Sequence, residues 1–440
     1  MKKPGLLISC AVVVVGVMTS VSPMLGAGSL EGAITTRNGE PVSNALVYVY
    51  TAAPREGRGT ICPSCYPDCG KRTRTDAEGR FSIGPVNQDL LFRLLVAAPG
   101  YRPDFIKDAD PMFGDAHLNL RLLKVTNTPL ENRVTGKLID PWGRPVAGGL
   151  IDVGGTRYGQ YSYSSATSGK VDPMAVSDER GEFFLDCTNE IAAITVTIEP
   201  RGLAKRRMWL ETGKAHLIRL KEGVTVAGRL LHKGQPVPAA TVAMCTQERE
   251  SSVFMRGFEV ATDLEGRFSL PSIPAGTRFH LFTKMSEMQE LNVALSPRGV
   301  ETGSDGTTND LGNLELQPSH FVRGRVVLAD GGTPPQTRVH LGLENAWDYQ
   351  NISLEDDGSF EFRGVPAEEI DLSVRVPGYR VSAKNPNKDW LNEGRLTGRL
   401  TGNLDDFIIH LEQGERFPRD EGPPDSDRQP RSKPLRGAKL

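Results

Sequence analysis

A chain of 440 residues exceeds one ordinary domain and leaves room for three or four modules. Its 52 Lys and Arg against 54 Asp and Glu give a formal net charge of -2. No global field therefore favours nucleic acid, and no long block of one sign points to a polyionic partner. Hydrophobic content of 38% with 47 Gly and 31 Pro suits short strands joined by many turns.

Met1-Lys2-Lys3 ahead of an apolar run from Leu6 to Met18 forms the positive and hydrophobic regions of an export signal. Small residues at Gly26, Ala27, Gly28 and Ser29 offer cleavage points, so residues 1–28 are read as a signal peptide. Apolar character continues through Val21 to Leu25, and an uncleaved N-terminal anchor is the alternative and the one membrane attachment expected. Leu7-Ile8-Ser9-Cys10 imitates a lipoprotein box, but the apolar run mostly follows Cys10 instead of preceding it. The expected location is outside the cytoplasm: periplasmic, cell-surface or extracellular.

Behind this segment one pattern returns four times. A strand with an early glycine opens each copy, as in Leu30-Glu31-Gly32-Ala33-Ile34 and Val134-Thr135-Gly136-Lys137-Leu138, then Val226-Ala227-Gly228-Arg229-Leu230 and Val322-Arg323-Gly324-Arg325-Val326. A Gly/Pro turn such as Asn38-Gly39-Glu40-Pro41-Val42 follows, and then a second strand such as Ala45–Tyr50. Next comes an acid three residues before a glycine and a Phe two residues after it. The four sets are Asp76, Gly79 and Phe81; Asp178, Gly181 and Phe183; Asp263, Gly266 and Phe268; and Glu355, Gly358 and Phe360. These glycines are 102, 85 and 92 residues apart, which is the length of a small domain rather than of a solenoid unit. Asp side chains accepting backbone N–H bonds explain the turn better than calcium ligation, because no copy has the alternating acids and distal Glu of a calcium hand. Further short strands end each copy, at His117–Leu120, His216–Leu220, Asn313–Leu316 and Phe407–Leu411.

Period-two patterning over six or seven short strands, with no long amphipathic helix, predicts an all-β chain: a tandem array of four antiparallel β-sandwich modules. Their expected bounds are 29–127, 128–222, 223–318 and 319–413. Residues 414–440 are Pro-rich, charged with both signs and poor in large apolar side chains, so a disordered tail is expected.

The run Gly39-Glu40-Pro41-Val42-Ser43-Asn44-Ala45, with Thr75–Phe81 and Ala98-Pro99-Gly100-Tyr101, resembles a carboxypeptidase regulatory-like domain. That family is similar to the prealbumin (transthyretin-like) sandwich and to the carbohydrate-binding-like fold. The resemblance extends over about residues 29–413 and implies a non-catalytic seven-stranded sandwich serving as an extracellular accessory or adhesive module. Three copies depart from it. The third lacks the Pro-Gly-Tyr ending, the second has Glu199-Pro200-Arg201-Gly202 there, and the fourth breaks the Pro-Val turn.

Cys62, Cys65 and Cys69 lie within eight residues, and in an exported protein the expectation is a disulfide between two of them. Zinc would need a fourth ligand, and haem attachment a His where Tyr66 stands. Cys187 and Cys245 are expected to be buried small hydrophobes. None of the seven histidines starts a zinc-binding pair, and neither a nucleophile elbow nor a phosphate-binding loop is present. No enzyme, metal or cofactor is expected.

The binding candidates are the aromatics Tyr158, Tyr161 and Tyr163 in the second copy and Trp347 and Tyr349 in the fourth, which have the faces to stack on sugar rings or peptide side chains. Simple alternation along a hairpin explains Tyr161 and Tyr163 as well. The expected function is a binding or structural spacer at the cell envelope or outside it, with a protein or glycan as partner. The alternatives are a carbohydrate-binding protein using the loop aromatics and an accessory subunit of an envelope hydrolase.

Overall fold

The computed structural model describes residues 27–414, apart from 56–65, 113–119, 123–128, 160, 165–169, 189, 248–253, 333, 335–336 and 393. The expected signal peptide up to residue 26, the tail beyond 414, Cys62, Cys65 and His117 lie outside the described residues. Among the described residues the longest helix is the four-residue Met285–Met288, and everything else regular is strand or one of three short 3-10 turns, Leu130–Asn132, Gln289–Leu291 and Lys388–Trp390.

Strands fall into four groups along the chain, each making two facing sheets, and Val293–Ala294 pairs with Gln317–Pro318 as a further two-stranded sheet beside the third. In the first sheet of every group the glycine-bearing strand is central: Ala27–Thr36, Arg133–Ile139, Val224–His232 and His320–Leu328. On one side it pairs antiparallel with the strand carrying the signature Phe. On the other it pairs parallel with the closing strand: Leu120–Leu122, Ala215–Arg219, Thr308–Glu315 or Leu404–Gln413. The otherwise antiparallel pattern thus contains one parallel pair per group, because the closing strand crosses over from the facing sheet to cover the free side of the first strand. The facing sheets are built round Leu46–Pro54, Leu150–Tyr158, Thr241–Thr246 and Arg338–Leu343.

The repeated residues fit together at one place in each sandwich. Register pairs Gly32 with Phe81, Gly136 with Phe183, Gly228 with Phe268 and Gly324 with Phe360. A Cβ on Gly136, Gly228 or Gly324 would meet the facing Phe ring at 2.4–2.8 Å, so the missing side chain makes room for the ring. The four Phe side chains are then 3–5% exposed.

The turn before each Phe is held by its acid. Asp76 Oδ1 accepts from the N–H of Glu78 (3.0 Å) and Arg80 (2.8 Å), and Asp178 and Asp263 repeat the arrangement. In the fourth copy Asp357 takes over, accepting from Ser359 N–H at 2.9 Å, while Glu355 contributes its backbone. Each turn glycine has φ between +74° and +82°, and a Cβ there would come within 2.4–2.8 Å of a carbonyl oxygen of the first strand. Only glycine meets both demands.

One recurrent group was not singled out in the sequence reading. Thr75, Ser177 and Thr262, just before the acids, are buried hydroxyls that donate to Val42, Val146 and Val237 carbonyls at 2.6–2.7 Å. Each also accepts from a backbone N–H of the second strand's lead-in, at 2.9–3.0 Å. Leu354 stands there in the fourth copy; it keeps the backbone bond to the second strand's lead-in that all four copies make (Leu354 N–H to Thr337 O, 3.1 Å) but has no hydroxyl to add to it. Their signal was a small hydroxyl residue one position before the acid in three copies.

The modules also pack on one another through the outer faces of their sheets. In Leu90–Ala97, Leu94 and Val96 enter the first module's own core, while Leu95 and Ala97 join Leu150, Met174 and Val176 of the second. The third module repeats this: Val242, Met244, Phe279 and Leu281 face inward, whereas Ala243, Cys245 and Phe282 share a core with the fourth. Both faces of these strands are buried, which is why they read as unbroken apolar runs.

Candidate functional site

Side chains from all four modules converge between these packed sheets. Arg72 of the first module pairs with Glu199 of the second at 2.6 Å, and Lys205 reaches the same carboxylate at 3.1 Å. Lys205 Nζ also donates to the carbonyls of Arg256 and Gly257 in the third module, both at 3.1 Å. Arg207 Nη1 donates to Phe254 O at 2.9 Å. Arg256 lies over the Trp347 ring of the fourth module at 4.3 Å, and Tyr349 Oη donates to Tyr66 O of the first at 3.4 Å.

Burial sets the charge states at this junction. Desolvation, helped by Glu199, pushes the Asp152 carboxyl up to about 7, against the pull of Arg256, Arg207 and Arg72. Burial also lifts Glu199, but Lys205 and Arg72 outweigh it and hold that carboxyl below its ordinary range. Lys205 is lowered, chiefly by burial. Nearby, Asp348 accepts from Met285 N–H at 2.7 Å across the seam between the third and fourth modules, and burial pushes it up to about 6. The cost of desolvating such charges offsets much of their mutual attraction, so the pairs add little net stability.

Trp347 is half-buried against Phe254 (centroids 5.3 Å apart) and Arg256, and Tyr349 packs on His340 at 5.5 Å. Tyr158 belongs to the second module's core margin, with Lys170 Nζ 5.4 Å from its ring centre. Tyr161 and Tyr163 lie on the strand Tyr161–Ser164, opposite Tyr158 and Thr156 in a hairpin. The structure brings Trp347 and Tyr349 together but leaves the second module's tyrosines on a different hairpin. Cys69 is half-buried beside the junction, where burial pushes its thiol up to about 12. Cys187 and Cys245 are buried, the latter in the core shared by the third and fourth modules. No group of three or more metal-ligating side chains occurs among the described residues. Nor is any described helix long and apolar enough to cross a membrane.

The polar junction was not anticipated from the sequence. Its clearest trace was Glu199-Pro200-Arg201-Gly202, the place where the second copy departs from the family ending.

No family model and no curated protein matches the chain. Among solved structures it is similar to the Bacillus anthracis TIE protein, at 11% identity over 89% of this chain and 75% of that one, with a TM-score of 0.19. It is also similar to a streptococcal ancillary pilin, at 12% identity over 66% of this chain and 99% of that one, TM-score 0.21. A third is GBS52, a minor pilin of Streptococcus agalactiae, at 11% identity over 46% and 99%, TM-score 0.23. Likeness at this level carries no argument about what the chain does. The class is defined by its own strands: an all-β, multi-module protein whose modules meet at a charged junction.

Proposed function

We propose that the chain is an exported, non-catalytic protein of four carboxypeptidase regulatory-like modules, acting at the cell envelope or outside it as a binding or structural element. The observation that carries this reading is the junction itself. Shared sheet faces join the first module to the second and the third to the fourth, and the Arg72–Glu199 ion pair adds to the first seam. Hydrogen bonds from Lys205 and Arg207 join the second to the third, so the array presents its surfaces in a set arrangement instead of as beads on a flexible string. Support for export comes from the N-terminal residues, and support for a non-catalytic role from the missing acid, base and nucleophile constellation.

Two measurements test the reading. Fractionation of the producing cells should place the chain outside the cytoplasm, and retention inside would refute export. Small-angle X-ray scattering of the purified protein should give a distance distribution with a single main maximum. Separate maxima for modules at independent spacings would refute the set arrangement.

A further inference from the structure

A groove of about 460 Å³ opens where the first three modules meet. Arg72 and Arg74 enter it from the edge strand Arg72–Arg74, where alternate residues face the same side. Arg201 comes from the turn of the second module, and Lys205 and Glu199 flank it. Glu259 and Phe258 of the third module form the opposite wall.

The charges in this groove do not balance. Glu199 serves both Arg72 and Lys205, and Glu259 is taken by Lys284 at 2.7 Å. Arg74 is half-buried and donates to Asn44 O and Gly148 O, both at 3.0 Å, and to Asn44 Oδ1 at 3.3 Å. None of these partners is a carboxylate. Arg201 is exposed and makes no ion pair among the described residues. After burial, the charges of Arg201 and then Arg72 are what disfavour the Arg74 cation, so the three guanidinium groups sense one another. Charged edge residues guard a sheet against pairing with other chains. That accounts for Arg72 and Arg74 but not for Arg201 facing them from another module.

We propose that this groove binds a small molecule through a multiply charged oxyanion group, a phosphate ester. Guanidinium groups offer paired donors that match such oxygens, and the Arg74 side chain is already held in place by its three bonds. The volume lies in the range of small-molecule sites. This site would give the array a ligand, and it stands whether or not the chain is exported.

The test is calorimetric titration of the full chain with pyrophosphate and, separately, with sulfate, using acetate as the singly charged control. Saturation at one site per chain by pyrophosphate or sulfate is expected, with affinity falling as salt rises. Arg201→Gln should weaken binding about tenfold, the loss of one charge-assisted contact. Arg201 makes no ion pair among the described residues, so this variant leaves the fold intact, whereas Arg74→Gln also removes a tie between modules. Arg395→Gln, remote on the fourth module, should bind as the parent does. Absence of saturation by both probes, or Arg201→Gln binding like the parent, would overturn the proposal. Pyrophosphate binding more tightly than sulfate is expected of a phosphate site, and tighter binding of sulfate would count against it.

Discussion

Replacing Phe282 by Ala tests whether the third and fourth modules share one core. Phe282 is 1% exposed and Phe279 is 0% exposed, both on the strand Arg278–Thr283. Phe279 packs edge-on to Phe258 inside the third module, while Phe282 belongs with Met285, Ala243 and Cys245 to the core of the fourth. Removing either ring should cost about 3–5 kcal/mol. The difference lies in where that cost is felt. The seam also includes the Asp348–Met285 bond, and Gly364, where a Cβ would come within 2.6 Å of Met285 O. Loosening Phe282 should therefore open both modules together. Segment-resolved hydrogen exchange on the full chain reads this directly. Phe282→Ala should lower protection in Arg338–Leu343 and Ser359–Val365 as well as in Arg278–Thr283, and leave Leu90–Ala97 unchanged. Phe279→Ala should act mainly within the third module. If Phe282→Ala left the fourth module's protection at the parental level, the shared core would be wrong and the modules would be independent units.

Asp152→Asn should stabilise the protein in a pH-dependent way. Its carboxyl is raised to about 7 in the fold from an ordinary 3.8, so the folded state holds its proton more tightly. The penalty of charging it is absent below about pH 4, grows up to 7 and is complete above. The variant should gain about 2–4 kcal/mol at pH 8 and almost nothing at pH 4, measured by urea unfolding, and equal effects at both would refute the account. Gly181→Ala should cost roughly 1–3 kcal/mol, because a left-handed φ of +76° is combined with a Cβ 2.4 Å from Leu138 O, and an unchanged melting temperature would contradict this. Denaturing alkylation without reductant, followed by peptide mapping, should find one disulfide among Cys62, Cys65 and Cys69, and three alkylated thiols would rule it out.

Much of each sandwich could be read directly because its causes are local. Gly79 needs a positive φ, Asp76 caps a tight turn through its own neighbours, and Phe81 alternates with Ile83 on one strand face. Short-range geometry of this kind leaves the same mark in every copy. The pairing of Gly136 with Phe183 spans 47 residues, and although both residues recur in every copy only the sheet register joins them. Asp357 shows how the fourth copy reaches the same turn by other atoms.

What lay beyond the sequence concerns the second faces of the sheets and the space between modules. Apolar residues at successive positions, as in Val242-Ala243-Met244-Cys245, say that both faces are covered but not by what. Trp347 has the composition of a stacking platform, and only the tertiary arrangement sets Phe254 and Arg256 against it. Arg74 and Arg201 are 127 residues apart, and neither one's neighbours in sequence reveal that they line the same groove. Local turns and strand faces are determined by residues within a few positions of one another. Partnerships between modules depend on how whole sheets dock, and no periodicity along a single chain encodes that.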